Sequence, residues 1–228
     1  MVIGIIVGSG QMRASFLSGL PSQVIEAGCT HVMFLRAEKG VFIQRHGSLD
    51  LPPHRINHAA HMQAFLKLGV KMVVGINSTG SLKRGIAPGS LLIPSDYLNF
   101  CSPATIFEDR RQHIVPKLSD EVISLLRVAC RRAGAAFHDN GIYAQTQGPR
   151  LETKAEIAML AQFADVVGMT MASEATIAQE SGLVYASLCS VDNYCNGIAD
   201  APISVEQIGE YAGRNIEKVM SVIRQILR

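Results

Sequence analysis

VKMVVGIN, residues 70–77, follows directly on HAAHMQAFLKLG, residues 58–69, and the join between them decides the fold class. The second stretch spaces its apolar residues as a helix does and stops on Gly69. The first is short, rich in valine and almost wholly apolar, as befits a strand buried on both faces. A helix that hands over to such a strand is the unit from which α/β sheets are built.

The alternation recurs along the chain. VIGIIVG (2–8), HVMFLRA (31–37), GVFIQRH (40–46), GSLLIPSD (89–96), GIYAQTQ (141–147), ADVVGMT (164–170) and LVYASLCSV (183–191) each read as a strand closed by a turn or polar loop. DEVISLLRVACRRAG (120–134) reads as a helix with Arg131 and Arg132 in its last turn, where the dipole favours cations. Shorter helices are expected over 153–163 and 172–181. A last helix starts at Ser204, with Gln207 completing a capping box. In TQGPRLETKAEI (146–157), Thr153 and Glu156 form a second capping box, and Glu152 stands just outside it. The pattern predicts one α/β domain over residues 1–228 with a largely parallel sheet. Residues 98–119, long and polar, read as an excursion or functional loop.

Composition narrows the function. A net charge of +2 gives no reason to expect nucleic acid or a membrane surface as partner. MVIGIIVGSGQM at the start lacks a basic segment and a cleavage site, so it reads as a core strand, not a signal peptide. Cysteines 29, 101, 130, 189 and 195 show no CxxC pair. Free thiols in a reducing cytoplasm are expected, without a disulfide or a zinc site. Cys29, Cys130 and Cys189 lie among apolar neighbours and read as core filler.

Ligands of α/β sheets gather at the carboxyl ends of strands. Gly8-Ser9-Gly10 ends the first strand and suits close approach to an anion, or simply a tight turn. It is not a dinucleotide fingerprint, because Arg13 replaces the third glycine. Arg45-His46-Gly47 offers a guanidinium fork and an imidazole for phosphate, or a surface loop. Asn77-Ser78-Thr79-Gly80 reads as a βα turn, either for backbone approach to a ligand or as a helix cap. Met169 and Thr170 close another strand, and Asp192, Asn193 and Tyr194 a further one. Together these ends suggest a phosphate site beside a flat, polar-edged ligand.

With those motifs in order, the sequence resembles the trimeric purine nucleoside phosphorylase and methylthioadenosine phosphorylase family. GSG (8–10), RHG (45–47), PPHRINH (52–58), NSTGSL (77–82), GPRLETKAEI (148–157) and VGMTMASEATIAQESGL (167–183) carry the likeness over almost the whole chain. The resemblance implies a mixed α/β sandwich around a distorted barrel-like sheet, assembled as a homotrimer with sites near subunit interfaces. It implies phosphorolysis of a purine nucleoside to free purine and pentose 1-phosphate. Phosphate, a co-substrate, would meet Ser9, Arg45, His46, the Asn77–Ser78 backbone and Thr170. Met169 would lie under the ribose, and Glu152 and Asn193 would face the purine.

The chemistry agrees with that assignment. The transition state carries oxocarbenium character, as in glycoside hydrolysis. Negative charge builds on the departing base, so a donor at N7 strengthens as the bond breaks. No metal or organic cofactor is needed. Relatives acting on methylthioadenosine typically carry a small hydroxyl residue at the place of Glu152 and Asp at that of Asn193. Glu152 can accept from N1–H of a 6-oxopurine, whereas against adenine N1 it would set acceptor against acceptor. Animal 6-oxopurine enzymes place a histidine for the 5′-hydroxyl where this chain has Val205, with Ile208 one turn on. That apolar pair suits a 5′-methylthio group, or simply the buried face of a helix. His113 would reach a neighbouring subunit's site, or else be a solvated loop residue. Asp192 departs from the family's usual Thr, and Asp50 stands where adenine-directed relatives often have His. A nucleoside hydrolase would need acidic metal ligands near the first strand, which has none. A silent purine-binding module would show a broken phosphate set, and this set is complete.

Overall fold

The computed structural model describes residues 1–12, 14–101, 104–200 and 203–228, with the backbone but not the side chains of 205–207. Arg13 and the Val205 and Gln207 side chains therefore lie outside the described residues. In chain order the elements are β1 (Ile3–Val7), α1 (Ser9–Met12), α2 (Ser15–Ser18), β2 (Ser22–Ala27), β3 (Thr30–Arg36) and β4 (Gly40–Gln44). A 3-10 turn (Pro53–Arg55), α3 (His58–Lys67), β5 (Met72–Ser81), β6 (Leu91–Asn99), α4 (Asp120–Arg132) and β7 (Phe137–Gln145) follow. The chain closes with α5 (Lys154–Leu160), β8 (Val166–Gly168), α6 (Met171–Glu180), β9 (Val184–Tyr194) and α7 (Val205–Ile226).

The strands form a sheet in the order β2-β3-β4-β1-β5-β8-β7-β6-β9, and β9 returns to pair with β5. Strands β5, β8, β7, β6 and β9 thus close into a barrel, while β1, β4, β3 and β2 extend from β5 as a wing. Pairings of β1 with β4 and β5, of β5 with β9, and of β7 with β6 and β8 are parallel. Those of β3 with β2 and β4, of β5 with β8, and of β6 with β9 are antiparallel. The sheet is mixed and barrel-like, and the helices flank it.

Strand β5 belongs to both halves, and there the sheet forks. Its lower part pairs with β1 as far as Gly75, and its upper part pairs with β8 from Gly80. Between those residues only the β9 side carries a ladder. Residues 77–80, read from sequence as a turn, therefore continue the strand, because pairing with β9 holds them extended. Asp192, Asn193 and Tyr194 likewise lie within β9, not beyond it. Both extensions follow from barrel closure, which depends on strands distant in sequence.

Local signals fare better. Ser119 caps α4 by accepting from Val122 N–H at 3.4 Å, and Val122, Ile123, Leu126, Ala129 and Cys130 form its buried face. The Thr153–Glu156 capping box is complete at the start of α5. Cys130 and Cys189 are buried as expected, but Cys29 is exposed, because Gly28-Cys29 is the turn of the β2–β3 hairpin. The 98–119 region begins later than expected, since Leu98 and Asn99 still belong to β6.

The wing is anchored where β1 meets α3. A Cβ on Gly4 would lie 2.8, 2.9 and 3.0 Å from three ring atoms of Phe65, itself fully buried. Strand and helix backbones approach this closely only because residue 4 has no side chain. Gly4→Ala should therefore overpack the contact, cost about 1–3 kcal/mol and lower Tm by several degrees in a thermal melt. An unchanged Tm would mean that Phe65 has room to retreat.

Candidate active site

The fork opens onto a cavity of about 770 Å³, lined from the β1 end by Ser9, from β4's exit by Arg45 and His46, and from β5 by Ser78, Thr79 and Gly80. Glu152, Met169, Thr170 and Asn193 line it too, and so do Ile208, Gly209, Ala212, Gly213 and Ile216 of α7. Pockets of this size commonly enclose small-molecule ligands.

Arg45 lies at its base, buried at 3 % exposure, and pairs with the fully buried Glu174 of α6. Its Nε binds Glu174 Oε1 and its Nη2 binds Oε2 at 3.3 Å. Among the described residues Nη1 has no protein hydrogen-bond partner, and it lies toward Gly8, whose would-be Cβ is 3.9 Å away. Burial works against the guanidinium's charge, but the Glu174 carboxylate outweighs it and raises the Arg45 pKa further. Tyr185 completes the pair by donating to Glu174 Oε2 at 2.7 Å. Gly75 makes the room, since a Cβ there would lie 2.8 Å from Glu174 Oε2 and inside the Tyr185 hydroxyl.

From Tyr185 the network reaches Asn77. Ser187 Oγ donates to Asn77 Oδ1 at 2.7 Å, and Asn77 Nδ2 donates to Thr170 Oγ1 at 3.0 Å. The Asn77 side chain thus stands behind Thr170, not in the cavity, because the pleat of β5 turns it toward β9 and α6. Thr170 accepts there and keeps its own hydroxyl proton for the cavity. Tyr143, fully buried beneath, accepts from the N–H groups of Thr170 and Met171 at 3.3 and 3.4 Å.

The loop after β4 is built to hold His46. Its Nδ1 donates to Leu51 O at 2.7 Å, and Leu51 N–H returns a bond to His46 O at 2.8 Å. Nε2 is left for the cavity. Gly47 and Asp50 adopt φ values of 65° and 50°, which bring the loop back over β1. Ser9 Oγ donates to Asp50 Oδ1 at 2.5 Å. Ser9 opens the short α1 and does not sit in a free loop.

At the opposite end, Glu152 Oε1 accepts from Thr146 Oγ1 at 2.6 Å, which leaves Oε2 available. Asn193 donates one amide hydrogen to Tyr194 O at 2.9 Å and keeps the other. Gly148, with φ of 63°, lets the GPR turn pass Met169, whose Sδ would lie 2.5 Å from a Cβ there. Arg150, outside the cavity, pairs through both terminal nitrogens with Glu156 at 2.8 Å. His113 is exposed and does not line the cavity of this chain.

Two sequence cues went unused. Glu174 sits in the apolar helix MASEATIA, where a lone carboxylate on a core-facing side calls for a buried cation. His58 and His61, one helical turn apart on α3, lie buried near Arg45, and neither Nδ1 has a hydrogen-bond partner among the described residues.

A family model described as "Phosphorylase superfamily" matches residues 2–228. The chain belongs to the phosphorylase superfamily. Among superfamily members, it is 43 % identical to a "Probable 6-oxopurine nucleoside phosphorylase" of Archaeoglobus fulgidus, covering 100 % of this chain and 96 % of that one. It is 33 % identical to a "Probable S-methyl-5'-thioinosine phosphorylase" of Methanocaldococcus jannaschii, covering 99 % and 92 %. The fold matches a methylthioadenosine phosphorylase from Schistosoma mansoni with a TM-score of 0.86 at 19 % identity, covering 100 % of this chain and 91 % of that chain.

The two buried imidazoles make stability depend on pH. Burial above all holds both near a pKa of about 3; Arg45 and His46 push His58 down further, and His58, Arg45 and His46 push His61 down against the opposing pull of Glu174. In the unfolded chain they titrate near about 6.5. Their contribution is therefore complete above that value and is lost as the pH falls toward 3. Over that interval unfolding should become easier by up to about 2.7 kcal/mol per pH unit for two protons. Denaturant titrations between pH 7 and 5 should show this slope, and it should flatten in the double variant His58→Asn, His61→Asn.

Proposed function

We propose that this protein is a 6-oxopurine nucleoside phosphorylase, a pentosyltransferase that cleaves the N-glycosidic bond reversibly with inorganic phosphate. The observation carrying the proposal is that one cavity joins an anion-binding end to a purine-reading end. At the first are Ser9, Arg45, His46, the β5 backbone at Ser78, and Thr170. At the second are Glu152 and Asn193. The relatives' names, 6-oxopurine and methylthioinosine phosphorylases, point the same way.

In the proposed mechanism, Arg45 Nη1, the Thr170 hydroxyl and His46 hold phosphate against the sugar. Arg45 is immobilised by Glu174, so little reorganisation is needed as charge develops. The dianion stabilises the cationic sugar and attacks its anomeric carbon as the base departs. The free amide hydrogen of Asn193 meets N7, where the electron pair of the broken bond collects. Glu152 Oε2 accepts N1–H, which a 6-oxopurine carries and adenine lacks. Met169 packs under the ribose. The mechanism assigns no step to a metal or an organic cofactor.

A second reading concerns the sugar's 5′ end. The α7 wall of Ile208, Gly209, Ala212, Gly213 and Ile216 is apolar. It favours a 5′-methylthio substituent, and thus methylthioinosine, over a hydroxyl. We further propose a cytoplasmic homotrimer. Leu151, Met159 and Phe163, exposed beside α5, together with Phe100, offer an apolar face for a neighbouring subunit. His113 would enter that neighbour's site. Among the described residues no helix is long and apolar enough to cross a membrane.

Assays with and without phosphate on inosine, guanosine, methylthioinosine and methylthioadenosine test the proposal. Strictly phosphate-dependent turnover of the three oxopurines is expected, with methylthioadenosine far behind. Phosphate-independent cleavage would defeat the phosphorylase assignment. Glu152→Ser should lower kcat/KM for inosine by about 10- to 100-fold, the worth of a charged hydrogen bond, while Tm moves only slightly. Equal losses of activity and stability would reduce Glu152 to a structural residue.

A further inference from the structure

Strand β9 contains one more residue than the part of β5 it pairs with. Thr79 is paired with Val191 and Gly80 with Asn193, so Asp192 is the extra residue of a bulge. Bulges re-aim the side chains that follow them. Without this one the ladder beyond it would slip by one position, and Asn193 and Tyr194 would exchange faces.

The bulge is held by its own side chain. Asp192 is fully buried, and its Oδ2 accepts from Ser78 Oγ at 2.5 Å. Its Oδ1 accepts from Ser190 Oγ at 2.6 Å and from Asn215 Nδ2 at 3.0 Å. Asn215, also buried, donates in addition to Val191 O at 3.2 Å. One carboxylate therefore ties together the stretch of β5 that pairs only with β9, the bulged part of β9 and the helix that forms the apolar cavity wall. Ser78 and Asn193 both line the cavity.

We propose that Asp192 is a positioning residue, which holds the β9 bulge so that Asn193 faces the departing base. The proposal rests on the phosphorylase reading of Asn193 and adds to it a cause for that residue's aim. Asp192 does not touch substrate. Its replacement by Asn would still accept from Ser190 and Asn215 through Oδ1 and would donate to Ser78 Oγ through Nδ2. Its replacement by Ala would strand the buried Ser190 hydroxyl and one hydrogen of the buried Asn215 amide, and release the bulge.

The test is a double-mutant cycle on inosine phosphorolysis. Asp192→Ala should lower kcat/KM by about 10- to 100-fold, as misplacement of a reacting group does. Adding Asn193→Ala to Asp192→Ala should cost little beyond Asn193→Ala alone, because an unaimed amide has already been lost. Losses that multiply would overturn the proposal, since Asp192 would then act independently of Asn193. Asp192→Asn should stay within about threefold of the parent, as Ser78, Ser190 and Asn215 each keep a bond to residue 192; a larger loss would overturn it as well. Should Asp192→Ala fail to fold, Asn215→Ala, which removes one tether, enters the same cycle with the same two readings. An Asn193→Ala enzyme as active as the parent would strike the assignment of Asn193 itself, and this proposal with it.

Discussion

Arg45 and Glu174 bring full, opposite charges into a region with almost no solvent, and much of the surrounding structure exists to make that tolerable. Burying either alone would cost several kcal/mol or more. The pair offsets this by its two contacts and by the Tyr185 hydroxyl, which satisfies a further lone pair of Glu174. That arrangement in turn demands a residue without a side chain at 75, where any Cβ would meet Tyr185 and Glu174. It also places Asn77 where it can hand a hydrogen bond to Thr170. A substitution at any of these positions is felt as an unsatisfied buried group at another.

The same pair explains where the cavity lies. Arg45 leaves β4 beside β1, while Glu174 hangs from α6, which follows β8. β1 and β8 occupy the same side of β5 but at different heights, and the gap between them is the fork. Bridging it with an ion pair holds the wing and the barrel at a set separation. The open backbone of β5 then faces a cavity instead of a third strand. Site and topology are thus one feature, in keeping with the rule that ligands of open α/β sheets bind where strand order changes.

How much of this could be read in the sequence depended on the range of the interactions involved. β1, α4 and the Thr153–Glu156 box were legible because periodicity and caps act within a few residues. β2 went unread, since Ser22–Ala27 is an edge strand exposed over most of its length and shows little of a core pattern. Asn77–Gly80 carries turn-forming residues and reads as a turn, and Asp192–Tyr194 reads as the end of a strand, yet both lie within strands. Pairing between strands a hundred residues apart overrode that local preference. The cavity-lining Ser9, Arg45, His46, Glu152, Met169, Thr170 and Asn193 came from motif resemblance together with strand ends. What resemblance could not supply was the orientation of each polar group, because that is set by buried partners such as Glu174 and Asp192.

Those orientations divide the cavity by hydrogen-bond polarity. Thr170 accepts from Asn77, so its proton faces inward. Ser78 gives its proton to Asp192, and Ser9 gives its own to Asp50 while accepting from Gln44 Nε2 at 3.3 Å, so Ser78 offers lone pairs and Ser9 its one remaining lone pair. Glu152 adds a carboxylate oxygen whose neighbour already holds Thr146. The donors Thr170, Arg45 Nη1 and one Asn193 hydrogen thus stand against a set of acceptors. A nucleoside presents the complement, with sugar hydroxyls and a base N–H as donors and N7 as acceptor. Phosphate as the dianion accepts through its three unprotonated oxygens, which fall to the few inward donors around Arg45 and Thr170, and its one remaining hydroxyl can donate to His46 Nε2. An unprotonated phosphate oxygen meets Ser9 as its acceptor only by drawing that proton away from Asp50, which makes the loop after β4 part of the phosphate site through its carboxylate as well as through His46.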